Sequence, residues 1–280
     1  MIKITADSTC DLPSALLEAH HISIAPLGVV KGGKLYRDGV NIRTADIAAH
    51  VAAGGELTTT NAVNAADYED LFRRAGEDCD AVIHVDIGSS FSSCYQNARL
   101  AAEEVPGEVY VVDSANLSVG NGILALCAAE AAEAGKSAGE IVSLLEELAP
   151  RVEMSFVLDR LDYMKKGGRC SAVTALGANL LKLHPCIEVI GGKMSVTKKY
   201  RGSMEKVVAD YVRERISGRT DIDTSRVILV DTCADDRLCA VARGCVEEDG
   251  RFGEIIEAKA GCTIFSHCGP DTLGILLLRK

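Results

Sequence analysis

The sequence predicts an α/β protein in two parts: an N-terminal parallel-sheet α/β domain, residues 1–150, and a C-terminal α+β two-layer domain, residues 151–280. Three observations carry this reading. In the first half, short β-branched runs alternate with helical patterns, as parallel strands joined by crossover helices require. In the second half, two extended runs flank a Gly-Gly pair, the signature of a hairpin and so of antiparallel pairing. The chain's 280 residues also exceed the ~250 that a single hydrophobic core usually organises.

In chain order, residues 2–5, 22–30, 81–87 and 109–113 read as strands. Between them, residues 44–53, 64–75 and 92–104 read as helices, with Thr44 and Asn64 placed to cap two of them. Residues 118–135 are almost wholly Ala, Leu, Gly and Cys on every side, which predicts a buried helix. Ser137 and Glu140 stand at capping-box spacing and open another helix, which ends near Pro150. After a strand at 152–158, the hairpin spans 187–199 around Gly191-Gly192. Met204, Val207, Val208, Tyr211 and Val212 follow the template of a helix buried on one face, and Val173, Leu176, Leu180 and Leu181 follow it nearly as well. Strands at 227–231 and 274–278 complete the layer.

Composition excludes several functions. A formal charge of -10 and an aromatic content of 4% argue against nucleic acid, which is held by Lys and Arg on phosphates and by rings stacked on bases. Eleven cysteines form no C-x-x-C pair; their odd number and a start without signal-peptide character predict a cytoplasmic protein with free thiols. Cys233, Cys239 and Cys245 recur every six residues, which spreads side chains around a helix and predicts no metal site. No apolar run approaches the ~20 residues of a membrane-spanning helix, so no stable membrane insertion is expected.

In open parallel sheets, ligands gather at the carboxyl ends of strands. Three such ends carry hydroxyls: Asp7-Ser8-Thr9, Gly88-Ser89-Ser90-Phe91-Ser92-Ser93 and Asp113-Ser114. In the second, serines and backbone N–H groups converge on a helix N-terminus; they either bind an anion or cap the helix. The Walker string for nucleoside triphosphates and the G-x-S-x-G of serine hydrolases are both absent. Gly120-Asn121-Gly122 opens a loose dinucleotide pattern, but it begins seven residues past Asp113, whereas a pyrophosphate turn follows its strand directly. Close packing of a helix on the sheet explains those glycines more simply. Lys165-Lys166-Gly167-Gly168-Arg169 reads as a cationic turn, and Ser266-His267-Cys268-Gly269-Pro270 as a loop histidine before a rigid turn.

Taken in order, these strings resemble the DegV family. Asp7-Ser8-Thr9-Cys10-Asp11-Leu12-Pro13 is similar to its D-S-T-x-D-L-P, and Thr59-Thr60-Asn61-Ala62-Val63-Asn64 stands where it has T-T-S-Q-P-S. Residues 88–98 stand at its S-S-G-L-S-G-T-Y-Q-S-A, residues 161–169 at its L-x-Y-L-K-K-G-G-R, and residues 267–274 at its H-x-G-P-G-T-L-G. The resemblance implies a protein of the EDD fold that binds one long-chain fatty acid, with the tail buried and the carboxylate near the domain junction. It implies no cofactor and no turnover by the chain itself, which would present its ligand to a fatty acid kinase partner for acyl phosphate formation. By position, Thr60, Ser92, Ser93 and His267 would bind the carboxylate, and Arg169 would be a nearby cation or a docking residue. The chain departs from the pattern at residues 61–64, at Ser93 and Cys94, and at Asp271, which bears on head-group geometry and partner choice. A regulatory lipid-binding module and an enzyme acting on a small carboxylic acid are the competing readings.

Overall fold

The structure, a computed structural model, describes residues 1–174 and 183–280. Its first half runs β1 (Ile2–Asp7), α1 (Ser14–Ala19), β2 (Ser23–Ala25), β3 (Gly28–Lys31), β4 (Lys34–Arg37), α2 (Thr44–Ala52), β5 (Thr59–Asn61), α3 (Ala65–Gly76), β6 (Ala81–Asp86), α4 (Cys94–Glu104), β7 (Glu108–Asp113), α5 (Val119–Glu133) and α6 (Ala138–Leu148). β2, β1, β6 and β7 lie side by side in that order, all parallel. Every residue of β6 is buried, as a central strand covered on both faces requires. α5 is buried on almost every side, as its uniform apolar composition predicts.

The run at 22–30 is not one strand. Pro26 lacks the N–H that would continue the ladder, so the chain breaks there. β2 stays in the parallel sheet, while β3 crosses to a small antiparallel sheet of order β4-β3-β5. Two helix starts also differ from the sequence reading. Thr44 is the first helical residue of α2 and not its cap, because the preceding Arg43 N–H is bonded to the Asp46 carboxylate at 2.8 Å. α4 begins at Cys94, leaving Ser92 and Ser93 in the loop before it. Asn64 does cap α3, its Oδ1 accepting from Asp67 N–H at 2.9 Å, and Ser137 with Glu140 forms the capping box of α6.

The second half continues β8 (Val152–Val157), α7 (Asp162–Gly167), α8 (Ser171–Thr174), β9 (Leu183–Ile190), β10 (Lys193–Arg201), α9 (Met204–Ile216), β11 (Ile222–Asp231), α10 (Arg237–Asp249), β12 (Glu254–Lys259), α11 (Cys262–Cys268) and β13 (Leu273–Arg279). Six strands in the order β10-β9-β8-β13-β11-β12 make a mixed sheet, antiparallel except for the β11–β12 pair. The β9–β10 hairpin turns at Gly191 and Gly192, both with positive φ, as a two-residue turn between twisted strands demands. Leu176, Leu180 and Leu181 of the sequence-predicted helix lie outside the described residues. Edge strand β12 and helices α1, α10 and α11 are further elements that the sequence reading did not place; in α10 the buried Leu238, Cys239, Ala242, Cys245 and Val246 do keep helical spacing.

The sheet separates two apolar clusters. On one face, Val227, Leu229, Ile275 and Leu277 pack against Val207, Tyr211 and Leu238 of α9 and α10. On the other, Met154, Phe156, Val230 and Leu276 join Ile83, Leu117 and Leu124 of the N-terminal half in one cluster. All eleven cysteines lie among the described residues, and none of them is in a disulfide. Cys239 and Cys245 lie in α10 and Cys233 before it, all three buried.

Candidate functional site

The carboxyl ends of β1 and β6 point toward the junction of the two halves, and there a cavity opens. The centre of a water-sized molecule has about 100 Å³ in which to move, against the ~10–15 Å³ that one bound water needs. Its depth is lined by buried apolar side chains, among them Leu27, Ile87, Phe91, Leu117, Phe156 and Ile264. Thr60, Ser92, Ser93, Arg169 and His267, the five residues singled out from the sequence, all line it as well. Arg169 is the one charged residue among the described lining residues, and none of them is a carboxylate.

Each polar group is held by a different element. Thr60 sits on β5, an edge of the small sheet, and its hydroxyl is 2.8 Å from His267 Nε2. His267 is not a loop residue: it lies in the last turn of α11. Burial, reinforced by the Arg169 charge, lowers its pKa to about 4, so the imidazole is neutral at pH 7. Its Nδ1 is buried, has no hydrogen-bond partner among the described residues and packs on Gly167, where a β-carbon would come within 2.1 Å of it. A lone acceptor is cheaper to leave unpaired than an N–H, which favours the tautomer protonated at Nε2. In that tautomer His267 donates to the Thr60 oxygen, and the Thr60 proton is free for a ligand.

Ser92 has a similar arrangement. Its oxygen accepts from Cys94 N–H at 3.2 Å, and its hydroxyl proton is left to donate into the cavity. Ser92, one residue before the N-cap, thus holds the first N–H of α4 and can still donate to a ligand, so the two sequence readings are compatible in one side chain. Ser93 is the N-cap residue of α4, with no capping bond from its own side chain. The partial positive charge of that helix terminus adds to the anion-favouring field. Of the other hydroxyl-bearing strand ends, Asp7-Ser8-Thr9 and Asp113-Ser114 do not line this cavity. Asp7 instead accepts from Thr9 and Ile87 N–H at 2.7 and 2.6 Å, and Asp113 from Ser89 and Ala115 N–H at 3.0 and 2.9 Å.

The glycine pair at 167–168 has two separate causes. Gly168 takes φ +67 to end α7, a left-handed position that glycine fills without strain. Gly167 admits the imidazole, as above. Arg169 then donates to the carbonyls of Gly167 at 2.8 Å and Phe91 at 3.5 Å, and no carboxylate among the described residues pairs with it. At Asp271 the backbone has φ +55, which accounts for glycine being the simpler residue there; Asp271 does not line the cavity.

Sequence reasoning missed the groups that aim His267. α11 starts at Gly261 with no capping side chain of its own. Its cap is borrowed: Asp38 accepts from Cys262 and Thr263 N–H, both at 2.8 Å, and Asp11 from Gly261 N–H at 2.7 Å. Further along, Thr58 donates to Ser266 at 2.7 Å. Helix α11 is thus fastened to the loop after β4 and to the start of β5, on the two sides of the sheet that also carries Thr60. Cys94, the other departure from the family pattern, accepts from Val63 N–H at 3.4 Å while Asn97 donates to Val63 O at 2.7 Å. The two side chains of α4 so fix the segment that follows Thr60.

A family model described as "uncharacterised protein, DegV family" matches residues 1–280. A DegV domain-containing protein of Caldanaerobacter subterraneus subsp. tengcongensis is 32% identical over 284 residues, covering 100% of this chain and 99% of that one. Among solved structures, a DegV family protein from Thermus thermophilus, described as fatty acid binding, aligns with a TM-score of 0.90 at 31% identity, covering 100% of this chain and 99% of that one. A stearic acid-binding protein from Eubacterium ventriosum aligns with a TM-score of 0.85 at 26% identity, with the same coverage.

Proposed function

The chain belongs to the DegV family, and from that premise we propose that it binds one long-chain fatty acid in the junction cavity and presents the carboxylate to a fatty acid kinase. The observation that carries the reading is the division of the cavity: apolar side chains line its depth, while its polar lining offers hydroxyls, an imidazole, a helix N-terminus and a guanidinium, with no acid among the described lining residues. That is the complement of an amphiphile with an anionic head. The related proteins described as binding fatty acids support the same ligand class.

Energetics assign different tasks to the two ends. Burying ~15 methylenes at roughly 0.8 kcal/mol each releases on the order of 12 kcal/mol gross. Each hydrogen bond to a carboxylate adds about 1.5–3 kcal/mol. The tail therefore supplies affinity and the head group supplies position. In the transfer step, a carboxylate oxygen attacks the terminal phosphorus of a nucleoside triphosphate brought by the kinase; the nucleoside diphosphate leaves and an acyl phosphate remains. Thr60 and Ser92 orient that oxygen by donating to the carboxylate, and His267 fixes the Thr60 hydroxyl. With Nδ1 against Gly167 there is no room for the orienting carboxylate of a hydrolytic triad, so the imidazole acts as a positioning group.

Extraction of the purified protein followed by mass spectrometry tests the ligand. A long-chain fatty acid near one equivalent is the expected result, and a stoichiometric polar metabolite in its place contradicts the reading. Incubation of the loaded protein with the fatty acid kinase of its host then tests presentation, with acyl phosphate as the expected product.

A further inference from the structure

Val152, Met154 and Phe156 are alternate residues of β8, so their side chains share one face of the sheet, ~6–7 Å apart along the strand. They form a floor that runs away from the head-group site. Phe156 lines both the main cavity and a deeper apolar extension, which also share Leu117, Ile264 and Cys268. Met154 also lines that extension. Beyond it, Met154 and Val152 line a wider outer cleft bordered by Glu153, Glu188, Arg215 and Arg279. Among the described residues, Met154 alone belongs to both the extension and the cleft.

The Met154 side chain is held in this place by an absence opposite it. A β-carbon on Gly274 would fall 2.7 Å from Met154 Cε. Gly274 lies on β13, where it pairs with Phe156; its backbone does not need glycine, but the methionine methyl needs the space. The unbranched thioether then fills the gap between two cavities.

We propose that Met154 is the stop of the acyl channel: it separates the buried end from the outer cleft and sets the longest chain the protein accepts. This rests on the fatty-acid reading above. A methylene that is admitted and buried adds about fourfold in affinity, while one that meets the stop adds nothing.

The test compares wild type with two variants that change the stop in opposite senses. Met154→Ala joins the extension to the cleft, so the longest acid bound by wild type should lose its rank to acids two methylenes longer, with a shift in relative affinity of about fifteenfold. Gly274→Ala drives the Met154 methyl back into the channel, and the preference should move to shorter acids. Because the new β-carbon would also stand 3.0 Å from Ser155 O, Met154→Phe serves as the narrowing variant if Gly274→Ala does not fold. The measurements are the chain-length profile of co-purified lipid and direct titration with a saturated acid series. A wild type that binds no fatty acid overturns the proposed function itself. A wild type that selects by length, with the same profile in Met154→Ala and in the narrowing variant, overturns the stop alone.

Discussion

A hydroxyl can accept one hydrogen bond and still give its own proton away, and the mouth of the cavity uses this at Thr60 and again at Ser92. Holding the ligand and aiming it are consequently separable. On the proposed reading, Ser92→Ala removes one donor to the carboxylate, a loss of about 1–3 kcal/mol set against the much larger gross contribution of the tail, so the pocket should remain filled. The attacking oxygen, however, loses a fixed point. A displacement of about an ångström lowers a transfer rate by roughly a hundredfold, and kinase-dependent acyl phosphate formation should fall accordingly. Both quantities can be measured on one preparation. Wild-type transfer from a full pocket would show that Ser92 serves only as a helix cap.

At the scale of elements, the ends of β1 and β6 are joined by a buried polar cluster that sits behind the cavity wall. Asp86 accepts from Tyr68 at 3.0 Å and lies 3.3 Å from His84 Nε2, while Asp86 Oδ1 is buried with no hydrogen-bond partner among the described residues. Burial, joined at Asp7 by the neighbouring Asp86 charge, pushes both Asp7 and Asp86 up to about 7 from 3.8. Since these folded-state values lie above the unfolded ones, the pair's contribution to stability is complete below about pH 4 and is lost as pH rises to about 7. Burial lowers His84 from 6.5 to about 4, which has the opposite slope: its contribution is complete above pH 6.5 and is lost as pH falls through 4. Asp86→Asn isolates the carboxylate effect, because an amide cannot ionise and puts an N–H beside Asp7. Relative to wild type, the variant should gain stability between pH 5 and pH 8, on the order of 1–3 kcal/mol; equal differences in urea unfolding at both pH values would contradict the shared burial cost. Elements also mark where sequence reading succeeds. Local patterns announced the buried α5 and the cap at Asn64, because the partners lie within a few residues. The cap of α11 could not be read this way: Asp38 stands 224 residues from Cys262, and no local pattern encodes such a pairing. Gly261, at a helix start without Ser, Thr, Asp or Asn, was the one available sign that a cap had to come from elsewhere.

At the scale of the whole molecule, the five site residues span positions 60 to 267, and it was the order of separated strings, not any one of them, that brought them together in the sequence reading. The reason is architectural. The cavity has walls from both halves, and the apolar cluster behind it is continuous, with Phe156, Val230 and Leu276 packed among Ile83, Leu117 and Leu124. Polar contacts cross the same junction: Gly261 N–H to Asp11, Thr58 to Ser266, and Arg226 to Glu130 at 2.7 Å. Separating residues 1–150 from the rest would expose one face of the mixed sheet and the facing side of α5 to water, at roughly 25 cal/mol for each Å² of apolar surface. A half-unfolded state is therefore costly. Thermal unfolding of the intact chain should give one calorimetric transition, with van't Hoff and calorimetric enthalpies in agreement. A fatty acid bound across the junction should raise its midpoint without splitting it, because the ligand stabilises only the state in which both walls are present. Two resolved transitions, of which just one moves on loading, would mean that the halves are energetically independent and that the cavity is assembled by docking.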